Sequence, residues 1–194
     1  DQIKIALSIS RIIKLYPFYN PRIPGFNRPF KMKITNAGSW GWNSDKNGYG
    51  YIRKHPITKL SWPKIPDTLI SLWRKYSGEK ILPNSCLFNL YNFPDSKLGL
   101  HQDKDENNFS FPVLSISIGN SAIFKYGKTK KNLNEIVLDS GTIVLMGGAS
   151  RLYYHGISKL IRNDKKDFFG SHIDCLPENS RICITMRKYE PNSD

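Results

Sequence analysis

A chain of 194 residues is long enough for one globular domain with a real core and too short for two of ordinary size. Hydrophobic residues make up 39% and charged residues 23%, and no apolar run approaches the roughly 20 residues that cross a bilayer, which excludes a helical membrane protein. With 29 Lys and Arg against 16 Asp and Glu, the net charge of +13 draws polyanions and makes nucleic acid the leading partner, although a solvated lysine-rich surface would give the same balance.

In chain order, residues 3–15 place Ile5, Ile9, Ile12 and Ile13 on one helical face, and Pro17 stops that helix. Residues 16–66 are rich in Gly, Pro, Asn and aromatics, with strand-like pieces at 31–35 and 49–53, and read as a long-looped lid. A second helix is expected up to Tyr76, with Asp67 capping its start and Gly78 just past its end. From Ser85 to Met186, short runs rich in Ile, Val, Leu, Phe and Thr follow one another: CLFNLY, LGLHQD, VLSISIG, AIFKYG, EIVLDS, TIVLMG, RLYYHG and RICITMRKY. Their spacing suits an antiparallel β-sandwich or barrel of about eight strands. The polar segment 162–167 reads as a surface loop.

Cys86, Cys175 and Cys183 form an odd, scattered set without C-x-x-C, which argues against a disulfide framework or a cysteine zinc site and for a reducing interior. The opening residues carry no secretory pattern.

The sharpest local feature is His101-Gln102-Asp103 at the end of a strand-like run. In extended chain, residues i and i+2 share a face, so the imidazole and the carboxylate can address one atom. His155 ends another such run, and two histidines with one carboxylate make the facial triad that holds Fe(II) with open positions. Arg181 and Arg187 also share a strand face and suit the carboxylates of a small diacid. At roughly 20 Å between their Cα atoms in a straight strand, the two side chains have to converge. Each feature has a plainer reading: a lone H-x-D is more often an ordinary surface or core pair, and the arginines could be paired within the fold.

NLY at 89–91, KLGLHQDKDE at 97–106, SISIGNSAIFKY at 115–126, GGASRLYYHG at 147–156, and Arg181 to Arg187 with Thr185 between them together resemble the AlkB family of Fe(II)- and 2-oxoglutarate-dependent nucleic-acid dealkylation enzymes. The likeness runs from about Lys31 to Tyr189. It implies an α+β fold: a double-stranded β-helix, or jelly roll, over residues 81–190, preceded by helices and a nucleotide-recognition lid within residues 1–80, all in a single domain. By matching motifs, His101, Asp103 and His155 would bind iron, while Asn89, Leu90, Tyr91, Arg181, Thr185 and Arg187 would contact 2-oxoglutarate, with dioxygen as the second cosubstrate. TNAG at 35–38, Trp42, Tyr49 and Tyr51 resemble base-stacking and phosphate-contacting elements, and Lys131 a substrate contact.

The implied activity is demethylation of 1-methyladenine and 3-methylcytosine in single- or double-stranded DNA, extending to RNA, with release of formaldehyde and conversion of 2-oxoglutarate to succinate. The physical chemistry agrees. Those bases are cationic, so a selective pocket needs aromatic faces, here Trp42 and Tyr49, beside a carboxylate, here Asp105 or Glu106. Lys97, Lys104, Lys125, Lys128, Lys130 and Lys131 could track the flanking phosphates. A monomer in the bacterial cytosol is expected. The alternatives are a related dioxygenase acting on tRNA or protein, and a non-catalytic nucleic-acid-binding module. The chain departs from the family pattern at Ile34, Thr142, Met146, Cys183 and Met186, which bears on substrate preference and pocket packing. The family's upstream strand and tail are missing, so a trimmed or naturally short form is expected.

Overall fold

The computed structural model describes residues 2–26, 28–162 and 179–191; most of the polar segment at 162–167, and Cys175, lie outside them. The first helix, α1, spans Gln2–Leu15 and buries Ile5, Ala6, Ile9, Ile12 and Ile13. Three strands follow, β1 (Lys33–Gly38), β2 (Gly41–Asp45) and β3 (Gly48–Ile52), then α2 (Asp67–Tyr76). The remaining strands are β4 (Ser85–Tyr91), β5 (Leu98–His101), β6 (Val113–Gly119), β7 (Ser121–Gly127), β8 (Asn134–Leu138), β9 (Ile143–Met146), β10 (Tyr154–Ile161) and β11 (Arg181–Arg187). The major sheet runs β1-β4-β11-β6-β9, the minor sheet β5-β10-β7-β8, and β2-β3 form a separate hairpin. This is the expected jelly-roll arrangement, with every strand pair antiparallel.

Alternation across the major sheet makes two cores. Cys86, Phe88 and Leu90 of β4 and Ile182, Ile184 and Met186 of β11 face outward into a cluster sealed by the isoleucines of α1 and by Leu69 and Trp73 of α2. Burying each such side chain contributes about 1.5–3 kcal/mol. The opposite residues, Leu87 and Tyr91, meet Phe124, Leu138, Ile157 and Leu160 between the sheets. Helix coverage of the outer face is what frees the inner face of the same strands to carry polar groups.

Four local expectations need correcting. Pro66, not Asp67, precedes α2 and offers no side-chain cap; Asp67 sits in the first turn, where it complements the helix dipole. Gly78, with φ +75°, does end the helix as expected. Of the piece at 31–35, residues 33–35 belong to β1, a strand of the major sheet rather than of a loose lid, and Thr35 and Asn36 of TNAG are fully buried. Their side chains bond the carbonyls of Tyr16 and Trp42 at 2.9 and 3.1 Å, which removes them as phosphate contacts. The run 151–154 is mostly turn, so His155 lies at the start of β10 and not at the end of a strand.

Behind the hairpin sits His55, fully buried among Tyr16, Tyr19 and Trp62. Its Nε2 lies 2.9 Å from the Pro17 carbonyl, and its Nδ1 accepts the amides of Ile57 and Thr58 at 3.2 and 3.1 Å. Burial lowers its pKa against the opposing hydrogen bond to the Pro17 carbonyl, and a proton on Nδ1 would also face two N–H donors. The unfolded chain therefore takes up this proton first, and stability falls as pH drops through the ordinary histidine pKa of about 6.5. Denaturant melts should show that decline, and a shallower one in His55→Asn.

Candidate active site

The site opens between the sheets as a cavity of about 460 Å³. His155 and His101 are register partners across β10 and β5, so antiparallel pairing brings the rings together with centroids 4.4 Å apart. Asp103 lies two residues past the end of β5 and swings its carboxylate between them: Oδ1 is 3.7 Å from His101 Nε2 and Oδ2 is 3.6 Å from His155 Nε2. One ligand atom from each residue lies within 4.8 Å of the others, a spacing that suits a single ion.

The backbone orients both rings. His101 Nδ1 is 2.9 Å from the Gly99 carbonyl and His155 Nδ1 is 3.1 Å from that of Tyr153, so each Nδ1–H donates outward and each Nε2 lone pair faces Asp103. Burial and then His101 lower the His155 pKa, against the pull of Asp103, which favours the neutral form that binds metals. For Asp103, burial raises the pKa, but Arg187, His155, His101 and Arg151 together hold the carboxyl below its usual range.

Gly156 permits this geometry. A Cβ there would meet the carbonyl oxygens of Leu98 and Gly99 at 2.6 and 2.9 Å. Gly156→Ala should push β5 away from β10, costing about 1–3 kcal/mol in thermal or chemical melts and loosening metal binding, measured by titration with Mn(II).

β11 supplies the next wall. Cys183, Thr185 and Arg187 line the cavity with Asn89 and Tyr91 of β4. Asn89 Oδ1 and the Nε atoms of Arg181 and Arg187 are buried without a hydrogen-bond partner among the described residues. Arg181, expected at the cosubstrate, is completely buried and outside the cavity lining; it donates to the carbonyls of Asn120 and Leu138 at 3.0 and 3.3 Å and to Ser117 Oγ at 2.7 Å, and among the described residues no carboxylate forms an ion pair with it. Open amide and guanidinium atoms beside a triad suit a small dicarboxylate, which would offset the cost of burying them. Arg187 is the arginine at the triad end, with Nη2 3.2 Å from Asp103 Oδ2. Leu90, expected to contact the cosubstrate, points its side chain into the helix-covered core on the far side of β4.

At the mouth, Trp42 and Tyr49 stack at 5.8 Å, and Trp42 Nε1 donates to Asp105 Oδ2 at 2.8 Å. All three line the cavity with Lys130, whose ammonium lies 5.2 Å over Tyr154. Lys131 is exposed and outside the lining, and Lys125 is paired with Glu135 at 2.5 Å. Tyr51 and Glu106 also lie outside it. The Glu106 carboxylate is buried between Arg187 Nη1 at 2.7 Å and Arg151 Nη2 at 2.9 Å, and it accepts the Tyr51 hydroxyl. Burial raises its pKa, but Arg187, with the Tyr51 and Arg187 hydrogen bonds, draws it below the usual carboxylate value.

Arg151 escapes sequence reasoning. Buried, it also donates to the Asp103 and Phe111 carbonyls at 2.6 and 2.9 Å, tying down the loop that carries Asp103. The only signal was its place in SRLYYHG, which names no partner.

The family model for the 2OG-Fe(II) oxygenase superfamily matches residues 2–187. The chain is 36% identical to the alpha-ketoglutarate-dependent dioxygenase AlkB of Escherichia coli, over 95% of this chain and 83% of that protein. It is also 36% identical to an AlkB homolog of Caulobacter vibrioides, over 89% of this chain and 74% of that one. A similar identity links it to the DNA N(6)-methyladenine demethylase ALKBH1C of Arabidopsis thaliana, 36% over 86% of this chain but 41% of that protein. The solved structure of OsALKBH1 superposes with a TM-score of 0.81 at 26% identity, covering 97% of this chain and 92% of that one.

Proposed function

Because the chain belongs to the 2OG-Fe(II) oxygenase superfamily, among its AlkB-type dioxygenases, we propose that it removes N-methyl groups from nucleic-acid bases, with 1-methyladenine and 3-methylcytosine as its preferred lesions. The carrying observation is the continuity of one cavity from the His101, Asp103 and His155 cluster to the Trp42, Tyr49 and Asp105 mouth.

The residues fit the family's groups. His101, Asp103 and His155 would hold Fe(II), and Arg187, Asn89, Tyr91 and Thr185 would hold 2-oxoglutarate at the inner end, with Arg181 behind them on the same strand face. When bound, iron with 2-oxoglutarate and dioxygen supplies oxidation of the methyl carbon, coupled to decarboxylation of the cosubstrate to succinate. The oxidised methyl group leaves the base as formaldehyde.

The chain's own groups select and hold the base. Trp42 and Tyr49 already touch, so a base stacks on the free face of the pair rather than between the rings. Asp105 keeps one carboxylate oxygen on Trp42 and offers the other to a cationic base, which fixes both the charge and the tilt of the ring. A base has to leave its duplex to reach this depth, so unpaired or single-stranded lesions are favoured. Exposed Lys104 and Lys130 on the cavity lining, with exposed Lys128 and Lys131 beside Lys130 in the chain, take the flanking phosphates, so binding should weaken steeply with salt. The protein acts as a monomer.

The test is formaldehyde release from a single-stranded oligonucleotide carrying 1-methyladenine or 3-methylcytosine, with Fe(II), ascorbate and oxygen, with and without 2-oxoglutarate. Release that requires 2-oxoglutarate is expected. A strand carrying N6-methyladenine, the neutral base named for the Arabidopsis relative, should react more slowly; faster reaction there would overturn the lesion assignment.

A further inference from the structure

Cys183 occupies an unusual position for a thiol. It sits on the cavity face of β11, two residues from Arg181 and four from Arg187, with its sulfur 3.8 Å from Thr185 Oγ1. Its register partner on β4 is Asn89, whose buried Oδ1 has no partner among the described residues and lines the same cavity. Its partner on the other side, Ser117, accepts a hydrogen bond from Arg181. The thiol is half-buried, open to the cavity, and free. By contrast, Cys86 is fully buried on the other side of the sheet, against the helices. Modification of a thiol requires access, and of these two only Cys183 has it.

We propose that Cys183 is a modification site for soft alkylating electrophiles, open in the free protein and closed when 2-oxoglutarate is bound. The proposal rests on the reading that 2-oxoglutarate lies along Asn89, Thr185 and Arg187. A diacid seated there fills the space in front of the sulfur, and a group attached to the sulfur fills the space the diacid needs. In the reaction the sulfur forms a bond to the electrophilic carbon, the leaving group departs with the bonding electron pair, and the thiol proton passes to solvent. Occupancy by cosubstrate and loss of the thiol then exclude each other, so the enzyme is vulnerable to alkylation when 2-oxoglutarate is scarce.

The experiment uses iodoacetamide on the whole chain, with peptide mass spectrometry separating Cys183 from Cys86 and Cys175. Labelling of Cys183 should proceed in the free protein and with Mn(II) alone, and should slow at least tenfold with Mn(II) and saturating 2-oxoglutarate, while Cys86 stays unlabelled throughout. Protein labelled at Cys183 should lose 2-oxoglutarate affinity by calorimetry. Cys183→Ser taken through the same treatment should bind no more weakly than its own untreated sample. If Cys183 is inert in the free protein, or labels equally fast with 2-oxoglutarate shown by calorimetry to be bound, the proposal is overturned and the functional reading stands. If 2-oxoglutarate does not bind the metal-loaded protein at all, both fall.

Discussion

Asp103→Ala should abolish dealkylation while leaving most of the nucleic-acid affinity intact. The carboxylate is the anionic member of the triad, 3.7 and 3.6 Å from the two histidine Nε2 atoms, and it also receives Arg187 at 3.2 Å. Removing it leaves two imidazoles beside a guanidinium with no anionic ligand, a poor site for a divalent cation. Loss of an outer partner of a metal ligand costs about 10–100-fold in affinity, and loss of the ligand itself should exceed that. Turnover is read as formaldehyde release and metal affinity by titration with Mn(II). DNA affinity, read by fluorescence anisotropy, persists because exposed lysines at the mouth are untouched. Full dealkylation by Asp103→Ala would refute the ligand assignment.

The second large effect belongs to Glu106. Its side chain is fully buried and satisfies two buried guanidiniums, those of Arg151 and Arg187, as well as the Tyr51 hydroxyl. Glu106→Ala strands both cations, and removing one member of a buried ion pair costs about 3–5 kcal/mol. Glu106→Gln keeps the shape and loses the charge, so it should fall between Ala and the wild type in urea melts. Because the folded pKa lies below the unfolded one, this contribution is complete above the ordinary carboxylate pKa and disappears as pH falls through the folded value. The wild type should therefore lose more stability on acidification than Glu106→Gln. A Glu106→Ala protein as stable as the wild type would show that the network carries no net stability.

These two carboxylates, three residues apart, illustrate what could be read from the sequence. Asp103 was recognisable because its chemistry is local: i, i+2 spacing from a histidine is enough to suggest a shared ligand. Glu106 reads in the sequence as one of two carboxylates for a cationic base, yet its partners are Tyr51, Arg151 and Arg187, none closer than 45 residues. No local spacing encodes such pairings. The runs that became β4, β6 and β11 were visible because both faces of the major sheet are packed there, which leaves dense apolar stretches. Strand β2, GWNSD, was not, since a polar hairpin strand carries no apolar alternation. The segment at β1 suggested a strand, but its membership of the major sheet depends on pairing with β4 some fifty positions on. Arg181 and Arg187 were legible as a pair on one face, whereas Arg151, which lies among turn residues, was not.

The placement of β5 has one more consequence. Among the described residues this four-residue strand sits at the margin of the minor sheet and pairs on one side only, with β10, through an irregular register. His101 belongs to β5 and His155 to β10, so an ion bridging them joins this short marginal strand to its neighbour much as a cross-link would. Occupancy then sets mechanical integrity as well as chemistry. At a hundredfold excess over its dissociation constant a bound ion adds about 2.7 kcal/mol, and amide exchange at Leu98 to His101 should slow on loading before any other strand responds. Chelation in turn should first release that margin and expose the inner face of the sandwich to water.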